Sequence, residues 1–186
     1  MSAAMARVPY LDAADLAPAN RDLLARNINL YRALVHSPDA TRAFLSVAKH
    51  IRYHSRLDAK LRELAILQVG YVARSPYEYS HHVKIAREFG VSDAEIGAVA
   101  LESEGHSSGL APLAKTVLRA ARELYAQPAL SDETFQSLKQ GLDNEQLVDL
   151  ILTISFYCAV VRLLGALQID VEDDYQQYLR EFPLPS

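Results

Sequence analysis

The segment RELAILQVGYVARSPYEYSHHVKIAREFG, Arg62 to Gly90, holds the residues of this chain best suited to chemistry. Glu63 is followed twelve positions later by Ser75, and then by Glu78 and His82. Positions 75, 78 and 82 are three and four residues apart, so a helix sets them on one face. A carboxylate four residues before a histidine accepts its ring N–H, holds the tautomer and raises the basicity of the other nitrogen. Glu63, arriving from a neighbouring helix, completes a proton-relay pocket. The same residues also have a structural reading. Ser75-Pro76-Tyr77-Glu78 forms a capping box with proline inside it. Glu78 and His82 are then an ordinary surface pair of about 0.2–0.5 kcal/mol. Spacing leaves both readings open.

Other reactive residues group less well. His50 and His54 share a helical face, but Ile51 stands where a catalytic zinc motif needs glutamate. With Arg52, Arg56, Lys60 and Arg62 close by, that stretch reads as a solvated basic face, and no metal site is expected. His81 adjoins His82, and neighbours on a helix point about 100° apart, so only one of the two is expected to face a pocket. His106 lies in the polar stretch ESEGHSSG, the clearest loop of the chain. The single cysteine, Cys158, rules out a disulfide framework and any Cys-x-x-Cys motif, and its apolar surroundings favour the neutral thiol. Ten tyrosines, among them Tyr71, Tyr77 and Tyr79, read mostly as core or interface residues. No glycine-rich phosphate loop supports nucleotide binding.

The elements that must position these residues are helices. The 186 residues are 50% apolar and 23% charged, with only seven glycines and eight prolines, which suits a helical globular domain better than a turn-rich sandwich. Start signals recur at Ser37-Pro38, Asp58, Ser75-Pro76, Ser92-Asp93-Ala94-Glu95, Ser131 and Asp143, and Gly90 fits a left-handed helix end. Eight or nine helices and no sheet are predicted. The runs beginning at Glu63 and Asp149 are apolar nearly all round and need burial on every side. A central position or a partner subunit supplies it, so a homo-oligomer is expected. A formal charge of −4 argues against nucleic-acid binding and gives no attraction to an anionic membrane. The N-terminus has no apolar signal core, and the charge-free run Leu150 to Val161 is shorter than the ~20 residues of a membrane span. A cytoplasmic protein is expected.

Residues 57–100 resemble the carboxymuconolactone decarboxylase family, in its alkylhydroperoxidase-like (AhpD-type) branch. That branch carries a glutamate, then Cys-x-x-Cys-x-x-x-His, then a helix end followed by a capped turn. Here Glu63 holds the glutamate position, Ser75-Pro76-Tyr77-Glu78 stands where Cys-Pro-Tyr-Cys would, His82 holds the histidine, and IAREFGVSDAEIGAV follows. Looser likeness extends to NLYRALVHSPDATRAFL and to DNEQLVDLILTISFYCAVVRLLGALQI. The resemblance implies one AhpD-like helical domain over residues 1–186, with residues 1–40 a helical arm wrapping the core or a neighbour, assembled as trimers or hexamers.

Both family cysteines are replaced, so the dithiol peroxidase (peroxiredoxin) chemistry attached to the family label is not expected, because serine is no redox group. What the resemblance leaves is cofactor-independent acid–base chemistry, a decarboxylation or lactone-type proton transfer on a small organic acid. Glu63, Glu78 and His82 would be catalytic, Ser75 and Tyr77 would line the substrate, and Arg62, Arg74 or Arg162 would reach a substrate carboxylate. The other reading is a non-catalytic oligomeric binding or scaffold protein on the same fold. An enzyme predicts a partly enclosed pocket with His82 at its wall and a carboxylate on one imidazole nitrogen. A scaffold predicts His82 packed shut or fully exposed, with Glu78 occupied only in capping.

Overall fold

The computed structural model describes residues 6–185, and helices are the regular structure throughout them. Nine α-helices are present among the described residues: α1 (Asn29–Leu34), α2 (Pro38–Tyr53), α3 (Ala59–Val72), α4 (Pro76–Glu88), α5 (Asp93–Ser103), α6 (Pro112–Ala126), α7 (Asp132–Lys139), α8 (Asn144–Leu167) and α9 (Gln176–Glu181). No strand occurs among the described residues. Asp58, Ser92, Ser131 and Asp143 cap α3, α5, α7 and α8 through their side chains. Gly90 takes φ 83°, the left-handed conformation that ends α4. Ser37 and Ser75 precede helices as expected but make no side-chain cap bond, because proline at the next position already sets the first turn.

Helix α3 runs through the centre of the bundle, against α4, α5, α6 and α8. Every residue from Arg62 to Tyr71 is buried. Ala65, Ile66 and Val69 join the larger core shared with α6 and α8, whereas Leu64, Leu67 and Tyr71 join the second core with α4 and α5. Two cores on opposite sides explain why the run is apolar all round. Gly70 allows the crossing of α4: a Cβ there would lie 3.2 Å from the Tyr79 backbone nitrogen.

The N-terminal arm differs from the helical arm expected over residues 1–40. Residues 1–5 lie outside the described part. The rest holds two 3-10 turns, Ala13–Asp15 and Pro18–Leu24, and only the short α1 before α2 begins at Pro38. Pro9 and Pro18 interrupt any longer helix. The arm lies on the chain's own core, where the Arg7 N–H donates to the Leu167 carbonyl at 2.8 Å and the Tyr10 hydroxyl donates to Asp170 Oδ2 at 3.0 Å.

Helix α8 also corrects an expectation. At 24 residues and mean hydropathy 2.1 it is long and apolar enough to cross a bilayer, although its charge-free run is short. Asp149, which bounds that charge-free run, faces inward: it accepts the Ser55 hydroxyl at 2.7 Å, the Arg56 N–H at 2.9 Å and His50 Nε2 at 3.2 Å. Leu150, Ile154, Tyr157 and Leu164 of α8 belong to the larger core.

Candidate active site

Three side chains from two helices meet between α3 and α4. Glu63 Oε2 lies 2.8 Å from Nδ1 of His82, and Glu78 Oε1 lies 2.9 Å from Nε2 of the same ring. Helix α3 delivers Glu63 from its first half, and α4 delivers Glu78 and His82 one turn apart. The expected capping box of Ser75 and Glu78 is absent: the Glu78 carboxylate reaches His82, four residues on, instead of the backbone of Ser75. Glu78 also stands in the first turn of α4, where the helix dipole favours a carboxylate. Each imidazole nitrogen therefore has a carboxylate partner, one more than expected.

Behind Glu63 stands Arg62. Its Nε donates to Glu63 Oε1 at 2.9 Å and its Nη1 to the Arg52 carbonyl at 3.2 Å, while the guanidinium lies 4.4 Å from the Phe89 ring centroid. Arg62 Nη2 is buried without a hydrogen-bond partner. Arginine, glutamate, histidine and glutamate thus alternate in charge along one buried row. Burial opposes a charge on His82, but the carboxylates of Glu78 and Glu63 outweigh it and raise the imidazolium above its ordinary range. Burial likewise opposes a charge on Glu63, and His82 with Arg62 outweighs it and lowers that carboxyl.

The row ends at a cavity of about 300 Å³ between the N-terminal arm, α2, α4 and α8. Glu78 and His82 line it, while Glu63 sits one layer deeper and reaches it only through His82. Ser75 does not line the cavity, which corrects its expected substrate contact. It is held in the turn after α3, its N–H donating to the Gly70 carbonyl at 3.0 Å. Tyr77 does line the cavity, but its hydroxyl is committed, donating to Glu172 Oε1 at 3.0 Å and accepting the Leu30 N–H at 3.1 Å. Burial and the Glu172 carboxylate push that phenol far up, so its ring forms wall and its hydroxyl ties chain segments together.

His81 lines the cavity beside His82, contrary to the expectation that only one of the pair would. Its ring is stacked between Tyr77 (centroids 4.2 Å apart) and Tyr175 (3.6 Å), and its Nε2 lies 2.7 Å from Glu172 Oε2. Burial holds His81 below its ordinary value despite that carboxylate. Neither Arg74 nor Arg162 lines the cavity, and Arg62 is spent on Glu63. The cations at the cavity are Arg26, Lys49 and Arg52. Sequence reasoning placed Arg52 on a solvated face. Its spacing of eight from Phe44, another lining residue, was the available signal. Glu172, more than ninety positions beyond Tyr77, left no signal at all.

His50 and His106 are exposed, and no group of three or more metal-binding side chains gathers among the described residues. Cys158 is buried on α8 away from the cavity, and burial pushes its thiol up.

Residues 38–123 match the sequence model of the carboxymuconolactone decarboxylase family. No curated protein matches the chain. Among solved structures, the chain resembles an uncharacterized peroxidase-related protein of the alkylhydroperoxidase AhpD core type from Ralstonia eutropha, at 19% identity, 96% of this chain, 97% of that chain and TM-score 0.81. It also resembles a debrominase solved in complex with 2,3,4-tribromopyrrole, at 20% identity, 97% of this chain, 98% of that chain and TM-score 0.74. A protein of unknown function from Agrobacterium tumefaciens is similar at 18% identity, over 74% of this chain and 93% of that chain, with TM-score 0.66. At these identities the likeness establishes a shared AhpD-like fold.

Proposed function

Starting from a chain whose residues 38–123 match the carboxymuconolactone decarboxylase family model and whose fold is AhpD-like, we propose that it is an acid–base enzyme acting on a small organic acid. The observation that supports this most is His82, clamped between Glu63 and Glu78 at the wall of a cavity. Glu78 is the group that meets substrate. It takes a proton as the carboxylate or gives one as the acid, and His82 exchanges that proton with it across 2.9 Å. Glu63, with Arg62 behind it, positions the ring and keeps it charged. In a decarboxylation the bond from substrate carbon to carboxylate breaks, CO₂ leaves, and the electron pair passes to a conjugated carbonyl of the substrate. Glu78 then protonates the carbon, His82 reloads Glu78, and solvent reloads His82. A lactone-type proton shift uses the same pair in both directions. Dithiol peroxide reduction has no support, since Cys158 is the only cysteine.

The test is a panel of small lactone and keto acids in deuterated solvent, read by CO₂ release and by deuterium entering product carbon. At least one acid is expected to turn over, and His82→Gln to lose that turnover while keeping the fold by circular dichroism. Binding of the acids with no turnover of any would instead make the chain an oligomeric binding protein.

Self-association into trimers or hexamers belongs to the same proposal. Its support is the outer face of α8, where Val148 is 63% and Leu152, one turn on, 38% exposed, together with Tyr53 of α2 at 67%. Light scattering is expected to give three or six chain masses for wild type and a smaller species for Leu152→Glu.

A further inference from the structure

The cavity carries its own record of what it binds, in the charges left unpaired at its rim and in the geometry of its wall. Five charged side chains other than histidine line it. Both carboxylates are already engaged: Glu78 with His82 at 2.9 Å, and Asp22 with the Arg42 guanidinium at 2.9 and 3.2 Å. Arg26, Lys49 and Arg52 make no ion pair among the described residues. Arg26 and Arg52 are partly buried and Lys49 is exposed; the backbone carbonyl of Arg52 is in addition fixed by Arg62, the residue that holds Glu63. A half-buried guanidinium without a carboxylate is free to take one from a ligand, and its planar fork matches a carboxylate with two parallel hydrogen bonds.

The wall is aromatic from mouth to floor. Phe44 packs on Phe156 with centroids 4.9 Å apart, Phe156 on Tyr157 at 5.6 Å and 88°, and Tyr157 on His82 at 5.0 Å and 82°. One tilted and two edge-to-face contacts thus lead to the relay, and all four rings line the cavity. A flat ring inserted beside them finds both faces and edges to pack on, which a puckered saturated ring cannot use as well. The Tyr157 phenol is pushed far up by burial first and by Glu78 and Glu63 next, so this wall stays uncharged.

We infer that the cavity binds a planar aromatic carboxylate, its ring against the Phe44–Phe156–Tyr157 wall and its carboxylate on Arg52. The ring is then directed from Arg52 toward Glu78 and His82. The inference rests on the acid–base reading only for which end of the ring is reactive, because the binding determinants lie outside the relay.

Two fluorescent probes of nearly equal shape separate charge from fit: 2-aminobenzoate, an anion, and 2-aminobenzamide, which is neutral. Wild type is expected to bind the acid at least about tenfold more tightly than the amide, as one charge-assisted carboxylate site allows. Arg52→Gln is expected to remove that preference by weakening the acid and leaving the amide unchanged. Benzoate is expected to displace the probe about threefold to tenfold better than cyclohexanecarboxylate. Equal binding of acid and amide, binding of neither, or an unchanged preference in Arg52→Gln overturns the carboxylate site. Equal displacement by the two competitors overturns the aromatic requirement. Glu78→Gln, which stops the proposed chemistry, is expected to bind 2-aminobenzoate at least as well as wild type. Lost turnover with intact binding therefore separates failure of the acid–base reading from failure of this one.

Discussion

Glu63→Ala is expected to cost about 3–5 kcal/mol of unfolding free energy, because it leaves a buried guanidinium without its counter-charge. Arg62 is 3% exposed, its Nη2 already lacks a hydrogen-bond partner, and Glu63 is its one carboxylate. His82 loses the partner on Nδ1 in the same step. In a chain of this size the loss lowers the thermal midpoint by roughly 10 °C. Urea unfolding checks the first figure and calorimetry the second. Arg62→Met with Glu63→Leu is expected to cost much less than Glu63→Ala alone, since an apolar pair of similar volume leaves no orphaned charge. Equal cost for the two proteins would show that the charges do not decide the loss.

The same variant tests the pH dependence. Glu63 is lowered in the folded chain, so its contribution is full above the unfolded value of about 4.3 and is lost as pH falls through the folded value. His82 is raised, so its contribution is full below about 6.5 and is lost as pH rises through the folded value. The row therefore contributes fully between about pH 4.3 and 6.5. Scans of thermal midpoint against pH are expected to show a shallower acid limb in Glu63→Ala than in wild type, the remainder coming from other lowered carboxyls such as Asp149 and Glu172.

Glu78→Gln is expected to lower turnover by about 10²–10⁴-fold, the usual value of a positioned proton carrier. The glutamine keeps the shape and a polar contact to His82 but carries no proton, so KM is expected to change little. Removing one of two carboxylates also moves the His82 titration down, toward that of an ordinary imidazole. The limb of the rate profile that belongs to His82 shifts to lower pH with it. Ser75→Ala is expected to leave the rate unchanged, because Ser75 does not reach the cavity. Rates and pH profiles are read on whichever acid of the panel turns over. Unchanged turnover in Glu78→Gln would remove Glu78 from the chemistry and leave His82 alone at the cavity.

The i, i+4 spacing of Glu78 and His82 and the apolar run of α3 are properties of the chain itself. Local spacing sets which side chains share a helical face, and local chemistry sets where helices start. The helical class, the caps at Asp58, Ser92, Ser131 and Asp143, and the shared face of α4 were therefore legible in residues alone. Whether Glu78 capped its own helix or turned to His82 was not. That choice depends on the buried His82 ring, whose proton affinity Glu78 and Glu63 raise together, and Glu63 arrives from α3 with Arg62 behind it. The partners of His81 come from Glu172 and Tyr175 at the far end of the chain. The arm's second 3-10 turn and α1 wall a cavity beside residues that, read along α2, belonged to an exposed basic stripe. Arg52 became a cavity residue because tertiary packing covered its face and left its charge unpaired, and that pairing is decided across distances which periodicity does not record.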